Sequence, residues 1–430
     1  MYRHHFSAHR RTTAHQFSRF LLATLLIGPV LAHAGQLTLS DAESEALKTD
    51  PVAAAASSRA EALDLQAVAD GQLPDPKLRT GLYNLPSDDF DLDREPTTQL
   101  RIGIVQSFPR GDTLARKSER SRAQARAQRA RASVARHQLL RDVRDSYLDI
   151  FLQQASGRIV ESSRSLFENL VEVTQDQYGA GNASQQDVLR AELELSRLED
   201  RLTRIRNDEE KARARLSRWI GELAWGELVD ETPSLAEPPD APTIEAALPG
   251  HPEIALRDAT IESHERAVEI AREQFKPGWA VGAEYRKRFG DNPDGSDRTD
   301  MLAVMLTVDL PLFTEKRQDK RLEASRKQAD AAMLDRRNTL RLLRQRLATD
   351  TANRKRLEER IARYEAHLLR EASENADAAL LAYQSGTTDF TALMRARITE
   401  LDVRLQALKL RVALLKTRAD LLYLASGAEK

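Results

Sequence analysis

The sequence predicts a mainly helical chain with a small β part, built as two related copies of one unit. Three observations carry this. First, "QYGAGNASQQDVLRAE" at 177–192 returns as "AYQSGTTDFTALMRAR" at 382–397, so that Tyr178 meets Tyr383, Gly181 meets Gly386 and Ala191 meets Ala396. Second, neither 113–178 nor 314–383 contains a proline, and at 1.5 Å per residue each stretch allows a helix of roughly 100 Å. Third, four short segments alternate apolar and polar residues with the period of two that marks strands.

Composition fits long helices. The 430 residues hold 65 Lys+Arg against 66 Asp+Glu, and aromatic residues make up only 5%. Such a balance lacks the basic excess of a nucleic-acid binder, so no nucleic acid is expected as a partner. Residues 1–34 read as a signal peptide. Arg3, Arg10, Arg11 and Arg19 precede the apolar run "FLLATLLIGPVL", and Ala32-His33-Ala34 supplies the small residues of a cleavage site. The exported chain carries a net charge of −5 and no cysteine, so disulfides contribute nothing to its stability. No later apolar run is long enough for a transmembrane helix, so any membrane part must be a β-barrel.

The first repeat spans 35–235. A helix lies between Asp50-Pro51 and Asp75-Pro76, about over 52–72. Strands follow at about 77–84 and 98–108. In "LRIGIVQSF", Leu100, Ile102 and Ile104 share one face, opposite Arg101, Gly103 and Val105. The acidic loop 85–97 joins the two strands. Long helices are expected over 113–178 and 184–221, reversed at the Tyr-x-x-Gly turn. The linker 231–250 holds five prolines and cannot continue a helix.

The second repeat, 236–430, runs in the same order. His251-Pro252 echoes Asp50-Pro51, and Lys276-Pro277 echoes Asp75-Pro76. Strands are expected at about 279–289 and 300–310, with Leu302, Val304, Leu306 and Val308 on one face. The loop "GDNPDGSDR" joins them, and long helices follow over 314–384 and 389–425. Apolar stripes such as Ile398, Leu401, Leu405 and Leu408 step by three and four, as in coiled coils.

Four strands cannot close a barrel, and an open sheet edge in lipid is costly. Two chains would give eight strands, whose interior side chains fill. Three give twelve and leave an aqueous bore, above a hollow cylinder of helices. The strand faces Leu100, Ile102, Ile104 and Leu302, Val304, Leu306, Val308 would then meet lipid.

With these features in order, the chain resembles the outer membrane factor family, the TolC-like outer membrane efflux proteins. The resemblance rests on "LTLSDAESEAL" followed by "DP", the two strand pairs, "VQSFPRGD", "VDLPLF" and the doubled Tyr-x-x-Gly turns. It implies a homotrimer in the outer membrane of a Gram-negative bacterium, with a twelve-stranded β-barrel on a periplasmic α-barrel. It implies an exit duct that works with a periplasmic adaptor and an inner membrane transporter of the resistance-nodulation-division type. "VQSFPRGDTLARK" is most similar to the heavy-metal branch, which implies metal cations as cargo. Organic compounds or proteins secreted by a type I system are the alternatives, and a soluble periplasmic coiled-coil scaffold is the alternative of another class.

On this resemblance the turns are periplasmic hairpin tips. Tyr178, Gly181, Ser184, Tyr383, Gly386 and Asp389 are the adaptor-docking candidates, with both tyrosines packed just inside the tips. Family members close the tunnel near the second tip, often with carboxylates. Here Ala392 and Arg395 stand in that region, so Asp187 or Asp389 paired with Arg190 or Arg395 is the candidate gate. The sequence holds no phosphate-cradling glycine loop and no HExxH, and His137, His251, His264 and His367 are scattered. No metal site, no cofactor and no enzymatic activity are therefore expected.

Overall fold

Local capping chemistry starts most of the helices. A computed structural model describes residues 36–427; the signal peptide expected at 1–34 lies outside the described residues. Helix α1 (Leu39–Thr49) opens on a capping box, in which the Thr38 side chain accepts from the Asp41 amide and Asp41 accepts from Thr38. Helix α2 (Pro51–Asp70) opens on Asp50, whose carboxylate accepts from the amides of Val52 and Ala53. Proline then sits at the first helical position, where its missing N–H costs nothing.

Strands β1 (Lys77–Tyr83) and β2 (Gln99–Phe108) come next. Helix α3 (Thr113–Gly179) runs for 67 residues, and α4 (Gln185–Ile220) returns along it. A short helix α5 (Ala241–Ala247) leads to α6 (Pro252–Glu273). Here His251 does the work of Asp50. Its Nδ1 accepts from the Glu253 amide, so the proton sits on Nε2, which donates to the Tyr423 carbonyl at 3.2 Å. His251 is fully buried, and that burial pushes its pKa down and keeps the ring neutral.

Strands β3 (Gly278–Arg288) and β4 (Met301–Asp309) follow. Helices α7 (Gln318–Arg363) and α8 (Leu369–Gln384) lead down to a second turn, and α9 (Phe390–Leu424) returns from it. Two details differ from the single helix expected over 314–384. The helix starts at Gln318, because Thr314 first closes a turn by accepting from the amides of Arg317 and Asp319. A π-helical turn at Tyr364–Leu368 then divides it. A π turn inserts one residue and rotates everything beyond it. That rotation lets α7 bury Leu343 and Leu347 in one cluster while α8 lays Leu380 and Tyr383 against another.

The core follows the helices. At mid-height α1, α3, α4 and α9 bury Tyr147, Leu148, Ile150, Leu216 and Val412. Towards the turns α3, α4 and α9 bury Phe167, Leu198, Phe390, Leu393 and Met394. Helix α2 meets α3 through Ala53, Ala56 and Ala132, and such small side chains let two helix axes approach closely. Among the described residues no helix is long and apolar enough to cross a membrane.

The four strands form one antiparallel sheet in the order β1-β2-β3-β4. The β2–β3 ladder joins the two halves of the chain, from Gln99 opposite Arg288 to Phe108 opposite Trp279. Phe108 and Trp279 stack with ring centroids 4.2 Å apart. Strands β1 and β4 are the edges, and neither pairs with a further strand among the described residues.

Candidate functional site: the hairpin tips and the sheet faces

The two tips reverse the chain by the same geometry. In the first, the Ala180 amide donates to the Asp176 carbonyl and the Asn182 amide to the Gln177 carbonyl. Gly181 takes φ +80°. In the second, the Ser385 amide donates to Leu381, the Thr387 amide to Ala382, and Gly386 takes φ +72°. Only glycine adopts this left-handed conformation without strain.

The returning helices are capped differently. Ser184 and Asp187 form a capping box, with the Asp187 carboxylate accepting from the Ser184 hydroxyl at 2.7 Å. Asp389 caps α9 alone and accepts from the Ala392 amide at 2.8 Å. The tyrosines also differ. Tyr383 packs edge-on against Phe390, with centroids 5.6 Å apart, and burial raises its pKa while the nearby Thr174 hydroxyl opposes the shift. Tyr178 is 50% exposed. The expectation that both tyrosines pack inside the tips thus holds for Tyr383 in this chain and not for Tyr178. The reason is local: the position matching Phe390 in the first copy is Gln185, which gives Tyr178 no ring to pack on.

The candidate gate residues do not pair with one another as charges among the described residues. Asp187 and Asp389 are occupied as helix caps. Arg190 donates to the Thr391 hydroxyl and so ties the first hairpin to the second. Arg395 is exposed and forms no ion pair among the described residues. A stronger charge cluster stands about two turns above the second tip, where Arg397 is only 8% exposed. It bonds Asp377 at 3.1 Å and Glu400 at 3.0 Å, and Glu400 also binds Arg404. Nearby, Arg201 of α4 pairs with Asp402 of α9 at 2.9 Å. Sequence reading missed these residues. Their signal was a pair of charges beside an otherwise regular apolar stripe.

One face of the sheet is largely apolar, with Thr80, Gln106 and Lys287 its polar members. Directly opposed residues in antiparallel strands share a face. The register therefore aligns Leu78, Ile104, Ala283 and Val304 in one row and Thr80, Ile102, Tyr285 and Leu302 in the next. Leu306 and Val308 extend this face beside Val281 and Trp279, and Leu100 pairs with Leu82. The face is largely apolar and uncovered: Leu302 is 76% and Val304 73% exposed. The opposite face carries Arg79, Arg101, Glu284 and Arg286. Strands β2, β3 and β4, of 10, 11 and 9 residues, have the length of tilted strands that cross a bilayer, and β1, with 7, is shorter.

Two long helical hairpins and a four-stranded antiparallel sheet with one largely apolar face make up the described fold. Residues 243–427 match the model of the outer membrane efflux protein family. Similar solved structures cover almost the whole chain. They include the outer membrane protein VceC of Vibrio cholerae, with TM-score 0.75 and 18% identity over 90% of this chain and 95% of that one. The CmeC outer membrane channel of Campylobacter jejuni aligns with TM-score 0.76 and 13% identity over 90% and 85%. CusC aligns with TM-score 0.75 and 15% identity over 91% and 92%. No curated protein matches the chain.

Proposed function

We propose that three copies of this chain form a passive exit duct in the outer membrane, the outermost part of a tripartite efflux system. The observation that carries the proposal is the sheet. It has one exposed, largely apolar face, one charged face and two unpaired edges. Lipid on the apolar side satisfies the first property and water on the other side the second. Joining β4 of one chain to β1 of the next satisfies the third. Twelve strands then enclose a bore, and the helical hairpins continue it into the periplasm.

The tips are the surface offered to a periplasmic adaptor, through Tyr178, Gly181, Ser184, Tyr383, Gly386 and Asp389. A ring of three copies of Asp187, Arg190 and Arg395 stands nearby and would gate the entrance. The pump partner would be an inner membrane transporter of the resistance-nodulation-division type. Two cargo readings follow from the duct: heavy-metal cations, favoured by the wording of "VQSFPRGDTLARK", and organic compounds.

Deleting the gene tests the duct. Growth inhibition by zinc, cobalt, cadmium, copper and silver is compared with inhibition by dyes, detergents and antibiotics. Sensitisation to either set supports an efflux duct and selects the cargo. Unchanged growth on both, with the protein recovered in the soluble periplasmic fraction, contradicts the proposal and favours a coiled-coil scaffold.

A further inference from the structure

The charged face of the sheet is unbalanced. On the extracellular side of the strands it presents Arg79, Arg101, Arg286 and Arg288 against a single carboxylate, Glu284. Lys77 and Asp309 stand towards the end nearest the helices, on the two opposite edge strands, and together add no net charge. Glu284 is already shared. It accepts from Arg286 Nε at 2.6 Å and lies 3.8 Å from Arg101 Nε. Arg101 is held in place from the other side, its guanidinium 4.0 Å above the centre of the Tyr83 ring. Its Nε is buried and makes no hydrogen bond. Arg79 is exposed and forms no ion pair among the described residues. Arg288 is turned aside to the Pro96 carbonyl at 2.9 Å. Three arginines per chain therefore face this side with one negative charge among them.

We infer that this belt makes the strand section of the duct anion-selective, with Arg79, Arg101 and Arg286 as the residues that set the preference. The inference rests on the reading of this face as the wall of an aqueous bore. In a trimer the belt is repeated three times around one axis, within low-dielectric walls that focus its field. Anions and uncharged molecules pass more easily than free divalent cations. The carboxylates of the loops do not cancel the belt. Asp88 and Asp89 are occupied by Arg94, and the other loop carboxylates, Asp91, Asp93, Glu95, Asp291, Asp294 and Asp297, are exposed to open water, where salt screens them over about 8 Å. The belt thus favours the organic-cargo reading over bare metal ions.

Reversal potentials test this. The protein purified from outer membranes is inserted into a planar lipid bilayer across a potassium chloride gradient. The wild type is expected to favour chloride over potassium. In R79Q/R101Q/R286Q that preference should drop roughly threefold or more, the effect of about one kT of lost potential. R79Q alone, which breaks no ion pair among the described residues, should shift it in the same direction. A conducting channel that favours potassium, or one whose selectivity all three substitutions leave unchanged, overturns the inference and leaves the duct intact. Failure of the wild type to conduct at all overturns the bore reading and this inference with it.

Discussion

Gly181 and Gly386 show how little chemistry the tips require. Each sits in left-handed backbone with open space around it, so a side chain there meets conformational strain and no clash. Gly386→Ala should cost about 1 kcal/mol, read as a lowered thermal midpoint. A larger loss would point to packing that this geometry does not contain. The tyrosines give a sharper contrast. Tyr383→Ala removes a ring packed on Phe390 and should cost about 1–2 kcal/mol, whereas Tyr178→Ala should stay within about 0.5 kcal/mol. If Tyr178 docks an adaptor, its loss weakens adaptor binding without touching stability. The repeat in the sequence matched the two tyrosines and both glycines. It could not reveal that they differ in burial, because burial depends on Phe390 against Gln185 across the turn.

Helix faces carry the next set of consequences. Arg397 and Glu400 are buried in α9 beside an apolar stripe. Removing one partner of a buried pair leaves an uncompensated charge. R397L should cost about 2–3 kcal/mol, with Arg404 still holding Glu400, and R397L/E400L should regain most of that loss in thermal melts. A different device sits higher up. Asp350 of α7 is pushed up to about 6, first by burial and then by the charge of Asp420, against the pull of Arg346. Asp420 is itself raised by burial and by Asp145, and is lowered by Arg141, Lys416 and Arg346. A folded-state value above the unfolded one means that the folded chain keeps a proton the unfolded chain releases. Stability therefore falls as pH rises from 3.8 to about 6 and stays lower above that window. D350N should raise the thermal midpoint near pH 7.5 and leave it unchanged near about pH 4. A gain that is equal at both pH values would assign the effect to packing instead. The sequence signalled this position only as a break in a leucine stripe, since whether a carboxylate is solvated depends on the neighbouring helix. Strands were easier to read, because period two places every other side chain on one face whatever the neighbour.

At the scale of the whole molecule, the strand pairing decides what the protein is. Alternation in the sequence identified the apolar residues, and the register now aligns them across all four strands. The order β1-β2-β3-β4 was not legible, because nothing in the strands themselves specifies that the two halves meet through β2 and β3. Nor was the arginine belt, which becomes one feature only once Arg79, Arg101 and Arg286 are brought onto one face. Both edges remain unpaired among the described residues, and closing them is the central claim. The absence of cysteine gives a clean background for testing it. One cysteine is placed at Leu78 on β1, and a second is scanned singly through Leu302, Val304, Leu306 and Val308 on β4. The protein is then oxidised in outer membranes and resolved by mass. A closed twelve-stranded barrel predicts that at least one pair yields a ladder ending at three chains. A ladder ending at two chains, or single chains from every pair, would contradict it.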